Sequence, residues 1–394
     1  MNSVAVFSDT LWPLGGGGEL ATYLYIKHMY NLGIKPVLIL NKAEDFHRRR
    51  FNVVELKRLG RGKYAPALNI GPLIKVLRGI DVAYFAASHL EFIPLVRILF
   101  NKPIVVHIHS YYPCCPIGHM YNFNTNMVCP GPRDCAKCTW RYEAQRRTFS
   151  EALSSTVLNS TARRFFLETL SMADAVIFVS EAQRRLFLEA ASRAGLHINS
   201  RKTQVIYNPI PDLKPVEMEG DDVGFLGGLD PIKGFKTLYQ AWAKIFPKHP
   251  SNKLRVAKGH KLPREFESKG VISYGRLVPP IEILKLIRKV RAVTVPSLSP
   301  EPAPYSAVET CLYGRLLIAS EIGGIPEIVG SLPGVKLVPP GDKDGLSEAL
   351  DWALSMSRNE AVELGLKNRE STLKRFDKHK SVNELIKIFE KVVR

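Results

Sequence analysis

A strand, a loop, a helix and a second strand follow one another between residues 292 and 319, and this order limits how the chain can fold. The first strand is the apolar run 292–295, and a loop rich in Pro and Ser separates it from a helix that opens near Tyr305. The run 316–319 is the second strand. Parallel strands joined through a helix form a βαβ unit, whose ligands bind where strand ends meet helix starts. The loop 296–304 is therefore a candidate binding site.

Two carboxylates lie on either side of the start of that helix. Glu301 precedes the helix, and Glu309 lies about one turn inside it. The N–H groups at a helix start favour an anion such as a phosphate, which a neighbouring carboxylate would repel. We therefore interpret both carboxylates as acceptors for the hydroxyl groups of a sugar and a ribose. From these two residues alone, the alternative is that Glu301 is a solvated charge in a loop and that Glu309 is an ordinary residue on a helix face.

The composition indicates a soluble globular protein with two domains. The 394 residues are too many for one ordinary core, and 45% hydrophobic and 23% charged residues are usual for a globular chain. No apolar run reaches the ~18 residues of a membrane span. The first residues, MNSVAVFSDTLWP, read as a strand and lack the features of a signal peptide. We therefore expect a cytoplasmic protein.

The net charge of +18 indicates a polyanionic partner. The basic residues are scattered, and no zinc-finger, homeodomain or RNA-binding signature accompanies them. We therefore expect no nucleic acid as a partner, and predict a phosphorylated or membrane-bound substrate. In this hypothesis the basic helices of the first domain contact anionic lipid, as a peripheral protein on the cytoplasmic face of the membrane. A basic nucleic-acid-binding protein is kept as the alternative.

The first half of the chain alternates strands with helices, as a doubly wound domain does. Strands are predicted at 4–8, 36–40, 82–86, 104–107, 175–179 and 205–210, and helices at 19–32, 91–100, 140–170 and 182–191. Four glycines end the loop before the first helix, and consecutive glycines let a backbone approach a ligand closely. They do not match the dinucleotide-binding fingerprint, and a flexible loop is the alternative.

Two histidines stand at the end of the strand 104–107. Alternation along a strand places His107 and His109 on the same side, at the carboxyl end where ligands of α/β proteins bind. A structural histidine with satisfied hydrogen bonds is the alternative reading.

Five of the six cysteines lie between residues 114 and 138, in a predicted loop. Thiolates at Cys-x2-Cys spacing, together with two further cysteines, can close a tetrahedral zinc site. In a cytoplasmic protein a metal is favoured over disulfides. The candidate ligands are Cys115, Cys129, Cys135 and Cys138, with Cys114 and His119 as substitutes. We expect a structural zinc, and free cysteines in a mobile loop or disulfides are the alternatives.

The second half of the chain repeats the alternation after a polar, Pro-containing linker at 211–222. Strands are predicted at 223–226, 254–257, 271–273 and 337–340, and helices at 235–246, 280–290, 343–356 and 381–393. Lys233 lies just before the first of these helices, with glycines on both sides. A lysine in that position suits a diphosphate; a solvated loop lysine is the alternative.

The loop and helix at 301–309 resemble the Glu-x7-Glu signature of the retaining glycosyltransferases of family 4, also called glycosyl transferases group 1. The sequence reads Glu301-PAPYSAV-Glu309, followed by Gly314, a strand and the run Gly-Gly-Ile-Pro-Glu at 323–327. The resemblance covers nearly the whole chain and is strongest at residues 1–33, 104–140, 205–234 and 292–328.

This resemblance implies an α/β protein of the GT-B fold, with two doubly wound, Rossmann-like domains facing each other across a cleft. Residues 1–210 would form the acceptor-side domain, with a Cys-rich insertion at about 111–140. Residues 211–375 would bind the nucleotide sugar, and a helix at 376–394 would pack back on the first domain. The implied activity is transfer of a hexose from a nucleotide-diphosphate sugar to a hydroxyl of a glycan or lipid-linked saccharide, with retention of configuration and without a catalytic cofactor.

The resemblance also implies the site residues. Lys233 would bind the diphosphate, Glu301 the sugar hydroxyls, Glu309 the ribose, and His109 the sugar from the other domain. His109, Glu301 and Lys233 would be catalytic. The donor-binding residues would be Gly17, Gly18, Gly228, Lys233, Arg276, Glu301, Ala303, Tyr305, Ser306 and Glu309, with Glu19 beside the glycines.

One position departs from the family pattern. The family places an arginine for the diphosphate where this chain has Gly228, so that a phosphate contact would be lost or supplied by Arg276 or Lys258. A catalytically silent homologue that binds the sugar nucleotide is therefore an alternative to an enzyme. A sugar-nucleotide epimerase of the same fold is the other, although it usually lacks the Glu-x7-Glu loop.

Overall fold

The computed structural model describes residues 3–56, 66–86, 88–132, 134–228, 230–257, 264–275 and 280–394. They divide into two compact units. Unit 1 comprises Met1–Ile210 together with Lys378–Arg394, and unit 2 comprises Pro211–Asp377. The predictions for Lys258 and Arg276 lie outside the described residues. Within the described ranges no helix is both long and apolar enough to cross a membrane.

Unit 1 is built on a seven-stranded parallel sheet with the order β3-β2-β1-β4-β5-β8-β9. The order reverses between β1 and β4, and ligands of doubly wound sheets bind at such a reversal, beyond the carboxyl ends of the strands. The strands, including a small hairpin of β6 and β7, are β1 (Ser3–Ser8), β2 (Lys35–Leu40), β3 (Asn52–Glu55), β4 (Val82–Phe85), β5 (Ile104–Ile108), β6 (Tyr121–Asn122), β7 (Met127–Val128), β8 (Ala175–Phe178) and β9 (Thr203–Val205).

The central strands of unit 1 are apolar on both faces because helices cover both sides of the sheet. In β1, Ala5 and Phe7 pack into one core, whereas Val4 and Val6 pack into the other. The helices are α1 (Gly17–Asn31), α2 (Asp45–Arg50), α3 (Pro66–Arg78), α4 (Ile93–Phe100), α5 (Cys135–Glu143), α6 (Phe149–Ser171) and α7 (Glu181–Arg193), joined at the end of the chain by α15 (Lys378–Val393).

The last helix of the chain completes the core of unit 1. Four side chains of α15, namely Val382, Leu385, Ile388 and Phe389, are buried in the core formed by β1, β2 and β4 on the face that carries α1. Their spacing of three and four residues gives one apolar stripe of an amphipathic helix.

The cysteine-rich segment is folded, which corrects the prediction of a loop. Cys135 and Cys138 lie in α5, and β6 pairs with β7 between them and Cys115. The predicted helix 140–170 is also wrong as a single element, because α5 ends at Glu143 and α6 begins at Phe149 after the N-cap Thr148. The carboxylate of Glu151 accepts the backbone N–H and the hydroxyl of Thr148, which fixes this new helix start.

Unit 2 contains a six-stranded parallel sheet with the order β12-β11-β10-β13-β14-β15, again with a reversal, here between β10 and β13. Its strands are β10 (Asp222–Phe225), β11 (Leu254–Val256), β12 (Val271–Ser273), β13 (Val290–Val295), β14 (Leu316–Ser320) and β15 (Val335–Val338). Its helices are α8 (Phe235–Ile245), α9 (Arg264–Glu267), α10 (Pro280–Lys289), α11 (Tyr305–Leu312), α12 (Ile325–Val329), α13 (Lys343–Ser355) and α14 (Arg358–Arg375).

The segment predicted as a linker is fixed to unit 2 by a buried arginine. Arg315 donates hydrogen bonds to the carbonyl oxygens of Val216 and Glu217, at 2.8 and 2.9 Å, and to that of Ile287 in α10. Its side chain is 2% exposed, and burial lowers the pKa of its guanidinium to about 10. Carbonyl groups therefore take the place of a carboxylate in satisfying this buried donor.

Two strand predictions need correction. The strand predicted at 205–210 occupies Thr203–Val205, and the N–H of Ile206 still donates to the carbonyl of Phe178 in β8. A ladder that continued to 210 would need the N–H groups that Pro209 lacks and that Pro211 would lack just beyond it. The strand predicted at 337–340 occupies Val335–Val338 and stops before Pro339 for the same reason. Besides the β6–β7 hairpin, the elements β3, α2, α3, α9, α12 and α14 were not predicted.

Candidate active site

In unit 2 the loops after β10 and β13 meet at the reversal of the sheet, and a charged pair joins them. The Nζ atom of Lys233 lies 2.6 Å from Oε1 of Glu301. Ser297 donates its hydroxyl to the same oxygen at 2.9 Å. The side chains of Lys233 and Glu301 are 33% and 13% exposed. The two residues to which the sequence assigned separate ligand contacts therefore contact each other.

Glycines bring the backbone of these loops together. Gly234 has a φ of +76°, and a Cβ atom there would lie 1.9 Å from the carbonyl oxygen of Pro296. Gly323 has a φ of +59°, and a Cβ atom there would lie 2.5 Å from the carbonyl oxygen of Glu301. That oxygen accepts the N–H of Gly324 at 2.7 Å. The close approach of these loops, and with it the position of Glu301, therefore depends on Gly234 and Gly323.

The start of α11 lies just beyond this pair. Pro304 is the N-cap, and no side chain caps the helix; the N–H of Ala307 returns to the carbonyl of Pro304. Ala303 and Ser306 are partly exposed on either side of it. A helix start with this geometry attracts an anion through its backbone donors and its dipole.

Glu309 lies in α11 between two tyrosines. Burial raises the pKa of Tyr305 and of Tyr313, and the nearby carboxylate of Glu309 raises both further. Both phenols therefore stay protonated at neutral pH, while Glu309 itself is partly buried.

In unit 1 the two histidines at the end of β5 stack on each other, as the alternation predicted. Their ring centres are 4.4 Å apart, with an angle of 27° between the planes. His107 is fully buried, and its Nδ1 lies 2.8 Å from the hydroxyl of Tyr84. Desolvation lowers the pKa of His107 well below its usual value, and His109 lowers it further. His107 therefore supports the ring of His109 from inside the core.

His109 is partly buried and faces a cavity of about 720 Å³. Desolvation lowers the pKa of His109 to about 4, so that the ring is neutral at physiological pH. Its Nε2 atom is buried and has no hydrogen-bond partner among the described residues. A neutral ring nitrogen in that state is suited to a hydrogen bond with a ligand hydroxyl.

The cavity is lined mainly by polar and acidic groups from the ends of several elements. Asp9 follows β1, His89 and Glu91 follow β4, and Arg147 precedes α6. The ring of His89 is 3.5 Å from the carboxylates of both Asp9 and Glu91. A ligand with several hydroxyl groups would find both acceptors and donors here.

The glycine-rich loop forms one wall of this cavity. A Cβ atom at Gly18 would lie 3.2 Å from Cβ of His109, so that the glycine permits α1 to start close to the histidine. Gly17 is the first residue of α1, two residues earlier than predicted. Glu19 accepts the N–H of Gly16 at 2.7 Å and also lines the cavity.

Gly228 has a φ of +74°, a backbone conformation that favours glycine. An arginine here would be strained, which gives a physical reason for its absence at this position.

The sequence matches family profiles over both units. Residues 15–212 match the family described as Glycosyltransferase Family 4, and residues 220–356 match Glycosyl transferases group 1. The chain belongs to glycosyltransferase family 4.

A curated relative supports this membership over part of the chain. The D-inositol 3-phosphate glycosyltransferase of Corynebacterium kroppenstedtii is 26% identical over 198 residues. The match covers 45% of this family 4 chain and 42% of the relative, so that the chain spans less than half of the length of that protein.

Solved structures share the fold along the full length. Anabaena HepE in complex with UDP-glucose has a TM-score of 0.69 at 17% identity, covering 99% of both chains. A glycosyltransferase from Rickettsia africae has a TM-score of 0.68 at 15% identity, covering 100% of this chain and 99% of that one. Sucrose-phosphate synthase from Thermosynechococcus elongatus has a TM-score of 0.69 at 17% identity, with the same coverage. These matches confirm the predicted GT-B fold for this family 4 member.

The structure groups most of the predicted site residues into two clusters. In unit 1, Gly18 lies against His109. In unit 2, Lys233 and Glu301 are paired ahead of α11, which contains Tyr305, Ser306 and Glu309. Asp9, Ser88, His89, Glu91, Tyr112 and Arg147, which line the cavity of unit 1, were missed. Asp9 and His89 follow β1 and β4, so the strand-end rule could have found them.

Proposed function

We propose that this family 4 protein is a retaining glycosyltransferase that moves a hexose from a nucleoside-diphosphate donor to a hydroxyl of an acceptor. The observation that carries this proposal is the Lys233–Glu301 pair at the reversal of the unit 2 sheet, next to the uncapped start of α11. One side chain of the pair suits a diphosphate and the other suits sugar hydroxyls. UDP-glucose is bound by the structurally similar HepE, which makes it the first donor to test.

When the donor binds, Lys233 and Glu301 give up their contact with each other and each contacts the donor instead. The ammonium group of Lys233 turns from the carboxylate to the diphosphate, and the N–H groups at the start of α11 share the charge of the diphosphate. Glu301 then accepts hydroxyl groups of the hexose, with Ser297 still holding one carboxylate oxygen. Glu309 accepts the hydroxyls of the ribose.

The chemistry needs no protein nucleophile. The acceptor oxygen bonds to the anomeric carbon on the face from which the diphosphate oxygen leaves. The proton of the acceptor hydroxyl passes to that departing oxygen. The protein contributes by positioning both substrates and by stabilising the negative charge that develops on the diphosphate.

His109 acts as a neutral hydrogen-bonding group for the transferred sugar. Its Nε2 atom has no partner among the described residues, and its pKa of about 4 keeps the ring uncharged. An uncharged ring does not repel the positive charge that develops at the anomeric carbon.

The acceptor is a compound with several hydroxyl groups that binds in the unit 1 cavity. The volume of about 720 Å³ is in the range of small-molecule sites. The carboxylates of Asp9, Glu19 and Glu91 around it favour hydroxyl donors and disfavour an acceptor phosphate deep in the cavity.

The acceptor is presented at a membrane. Along α6, Phe149, Leu153 and Val157 lie four residues apart and are 72%, 47% and 52% exposed. Exposed basic residues stand in and after α5, which packs against α6: Lys137, Arg141 and Arg146. An apolar stripe beside basic residues fits the surface of an anionic bilayer.

A vesicle assay tests this membrane contact. The chain is expected to sediment with vesicles that contain phosphatidylglycerol and not with pure phosphatidylcholine. A Phe149→Ser/Leu153→Ser double variant should sediment less. A matched control on α14, Leu366→Ser/Leu373→Ser, changes residues that are 48% and 45% exposed and should sediment as the wild type does. Equal sedimentation of the wild type with both kinds of vesicle would contradict the contact.

The activity is tested by mixing the purified chain with UDP-, GDP- and ADP-sugars and measuring release of the nucleoside diphosphate. Release from one donor by the wild type, and its loss in Glu309→Ala, supports the proposal. Thermal stabilisation by a donor, without release of its nucleoside diphosphate in the presence of any acceptor offered, would favour the silent homologue, for which the replacement of the family arginine by Gly228 is the reason. The absence of both release and stabilisation would contradict the proposal.

A further inference from the structure

Five cysteines of the unit 1 insertion line one small cavity. Its volume is about 20 Å³, and its walls come from three pieces of chain: the turn after β5, the β6–β7 hairpin with the residues that follow it, and α5. A space of this size holds about one water molecule. The apolar walls include Pro116, Ile117, Met120 and Pro132. Thiols rather than hydroxyls or carboxylates are thus the main polar groups around this space.

The hydrogen bonds of the thiols distinguish Cys114 from the other four cysteines. Cys114 also lines the cavity, but its thiol donates to the carbonyl of Phe187 in α7, outside the insertion, at 3.4 Å. The thiols of Cys129 and Cys138 contact carbonyl oxygens within the insertion, those of Gly131 and Tyr121. Cys115, Cys129, Cys135 and Cys138 therefore form the candidate ligand group, and Cys114 is held to α7 instead.

A backbone donor points at one of the four sulfurs. Phe123 donates its N–H to Sγ of Cys138 at 3.3 Å. A donor aimed at sulfur stabilises a thiolate and is the kind of outer contact that metal-bound cysteines use.

We propose that Cys115, Cys129, Cys135 and Cys138 bind one Zn²⁺ ion in a tetrahedral, structural site. Each thiol gives up its proton to solvent as its sulfur binds the ion, so that four S–H bonds are replaced by four Zn–S bonds. All four positions are filled by protein, which leaves none for a substrate. The site is independent of sugar transfer, and it would fasten the turn after β5, the hairpin and α5 to one another.

The thiols must rotate to reach the ion. Within the described residues no group of three or more His, Cys, Asp or Glu side chains already stands in a metal-holding arrangement. Sγ of Cys129 donates to the carbonyl of Gly131 at 3.0 Å, and Sγ of Cys138 lies 3.6 Å from the carbonyl of Tyr121. In both contacts a protonated thiol lies against a carbonyl oxygen, and the contact is lost when the thiol is deprotonated. Zinc uptake is therefore expected to weaken as the pH falls.

The test is the metal content of the full chain, purified under reducing conditions without a chelator. We expect about one zinc per chain by elemental analysis. Cys129→Ser and Cys135→Ser should lower this content at least several-fold. Cys114→Ser and Cys311→Ser, which change cysteines outside the group, should keep it.

A second measurement covers the case in which the serine variants do not fold. The wild-type chain, stripped with a chelator and loaded with Co²⁺, should show the visible absorption of tetrahedral cobalt and the near-ultraviolet band of cobalt–thiolate bonds. Wild-type protein without bound metal and with all four thiols open to a thiol reagent would overturn the proposal. So would a mass that shows hydrogens lost to disulfides, or iron in place of zinc.

Discussion

The two units hold their ligand-facing groups in different states. In unit 1 the Nε2 of His109 is buried, uncharged and without a partner among the described residues. In unit 2 the charges of Lys233 and Glu301 already satisfy each other. A buried polar atom without a partner costs about 1–3 kcal/mol, which a ligand recovers, whereas a paired charge gives up one partner for another. Unit 1 is thus suited to a neutral ligand. Unit 2 is suited to a ligand whose charge is strong enough to compete with one member of the Lys233–Glu301 pair for the other.

The most severe way to break the unit 2 arrangement is Glu301→Ala. This change leaves Lys233 without its partner and removes the proposed acceptor for sugar hydroxyls, and we expect turnover to fall by roughly 10²–10³-fold. Release of nucleoside diphosphate measures the effect. Glu348→Ala, at an exposed position of α13, is the control and should keep wild-type turnover. Normal turnover of the Glu301 variant would remove this residue from the site.

The next largest effect is expected from Gly234→Ala, which pushes the Lys233 loop away from the loop after β13. The added Cβ atom would meet the carbonyl oxygen of Pro296, and we expect this overlap to lower the free energy of unfolding of unit 2 by about 1–3 kcal/mol, in addition to the about 1–2 kcal/mol of strain from the positive φ. The midpoint of denaturant unfolding measures it.

Gly341→Ala, also in unit 2, is the matched control for that change. Gly341 has a positive φ as well, of +80°, but a Cβ atom there would meet only Cδ2 of Leu298 at 3.7 Å, an ordinary van der Waals contact. Only the backbone strain of about 1–2 kcal/mol applies to it. Equal shifts in the two variants would show that the contact with Pro296 contributes nothing.

The next prediction has a smaller expected effect and concerns His109 in unit 1, whose pKa makes the stability depend on pH. Because burial holds the pKa of His109 at about 4, the unfolded chain binds a proton that the folded chain does not between about pH 6.5 and pH 4. Stability is therefore full above about pH 6.5 and falls as the pH drops toward 4. His107 contributes in the same direction.

The variant His109→Gln should have a shallower fall over this range, measured as the unfolding midpoint against pH. Part of the slope should remain, because His107 still titrates. A slope identical to that of the wild type would mean that the ring of His109 is protonated as readily in the folded protein as in the unfolded chain.

The smallest expected effect concerns Gly228, which stands where the family pattern has an arginine. Gly228→Arg restores the residue type of the family pattern, but the φ of +74° makes it cost about 1–2 kcal/mol of stability. Gly228→Asn should cost less, because asparagine tolerates this conformation. Thermal unfolding compares the two variants, and equal costs would contradict the assignment to backbone strain.

Much of the fold was predictable because central parallel strands are continuous apolar runs. The predictions for β1, β5, β13 and β14 agree with the structure to within two residues. The strand β3 was missed because its four residues lie at the edge of the sheet and are partly or fully exposed. Such a strand carries little apolar signal.

The candidate site was predictable where one motif contains it, and not where separate segments build it. The loop and helix from Glu301 to Glu309 were found as one stretch of sequence. The contact of Lys233 with Glu301 joins residues 68 positions apart, and no local pattern reveals which carboxylate a lysine will meet. The cavity of unit 1 combines the ends of β1, β4 and β5, and its acidic character emerges only when these strands are assembled.

The place of α15 in unit 1 has a consequence for the synthesis of the chain. The ribosome synthesises all of unit 2 before it adds Val382, Leu385, Ile388 and Phe389, whose side chains complete the core of unit 1. At bacterial or eukaryotic elongation rates this delay is on the order of ten seconds. During that time the face of the first sheet that carries α1 keeps an uncovered apolar strip. The first unit to emerge is therefore the last to be finished, and nascent unit 1 is the part of the chain most in need of protection from aggregation.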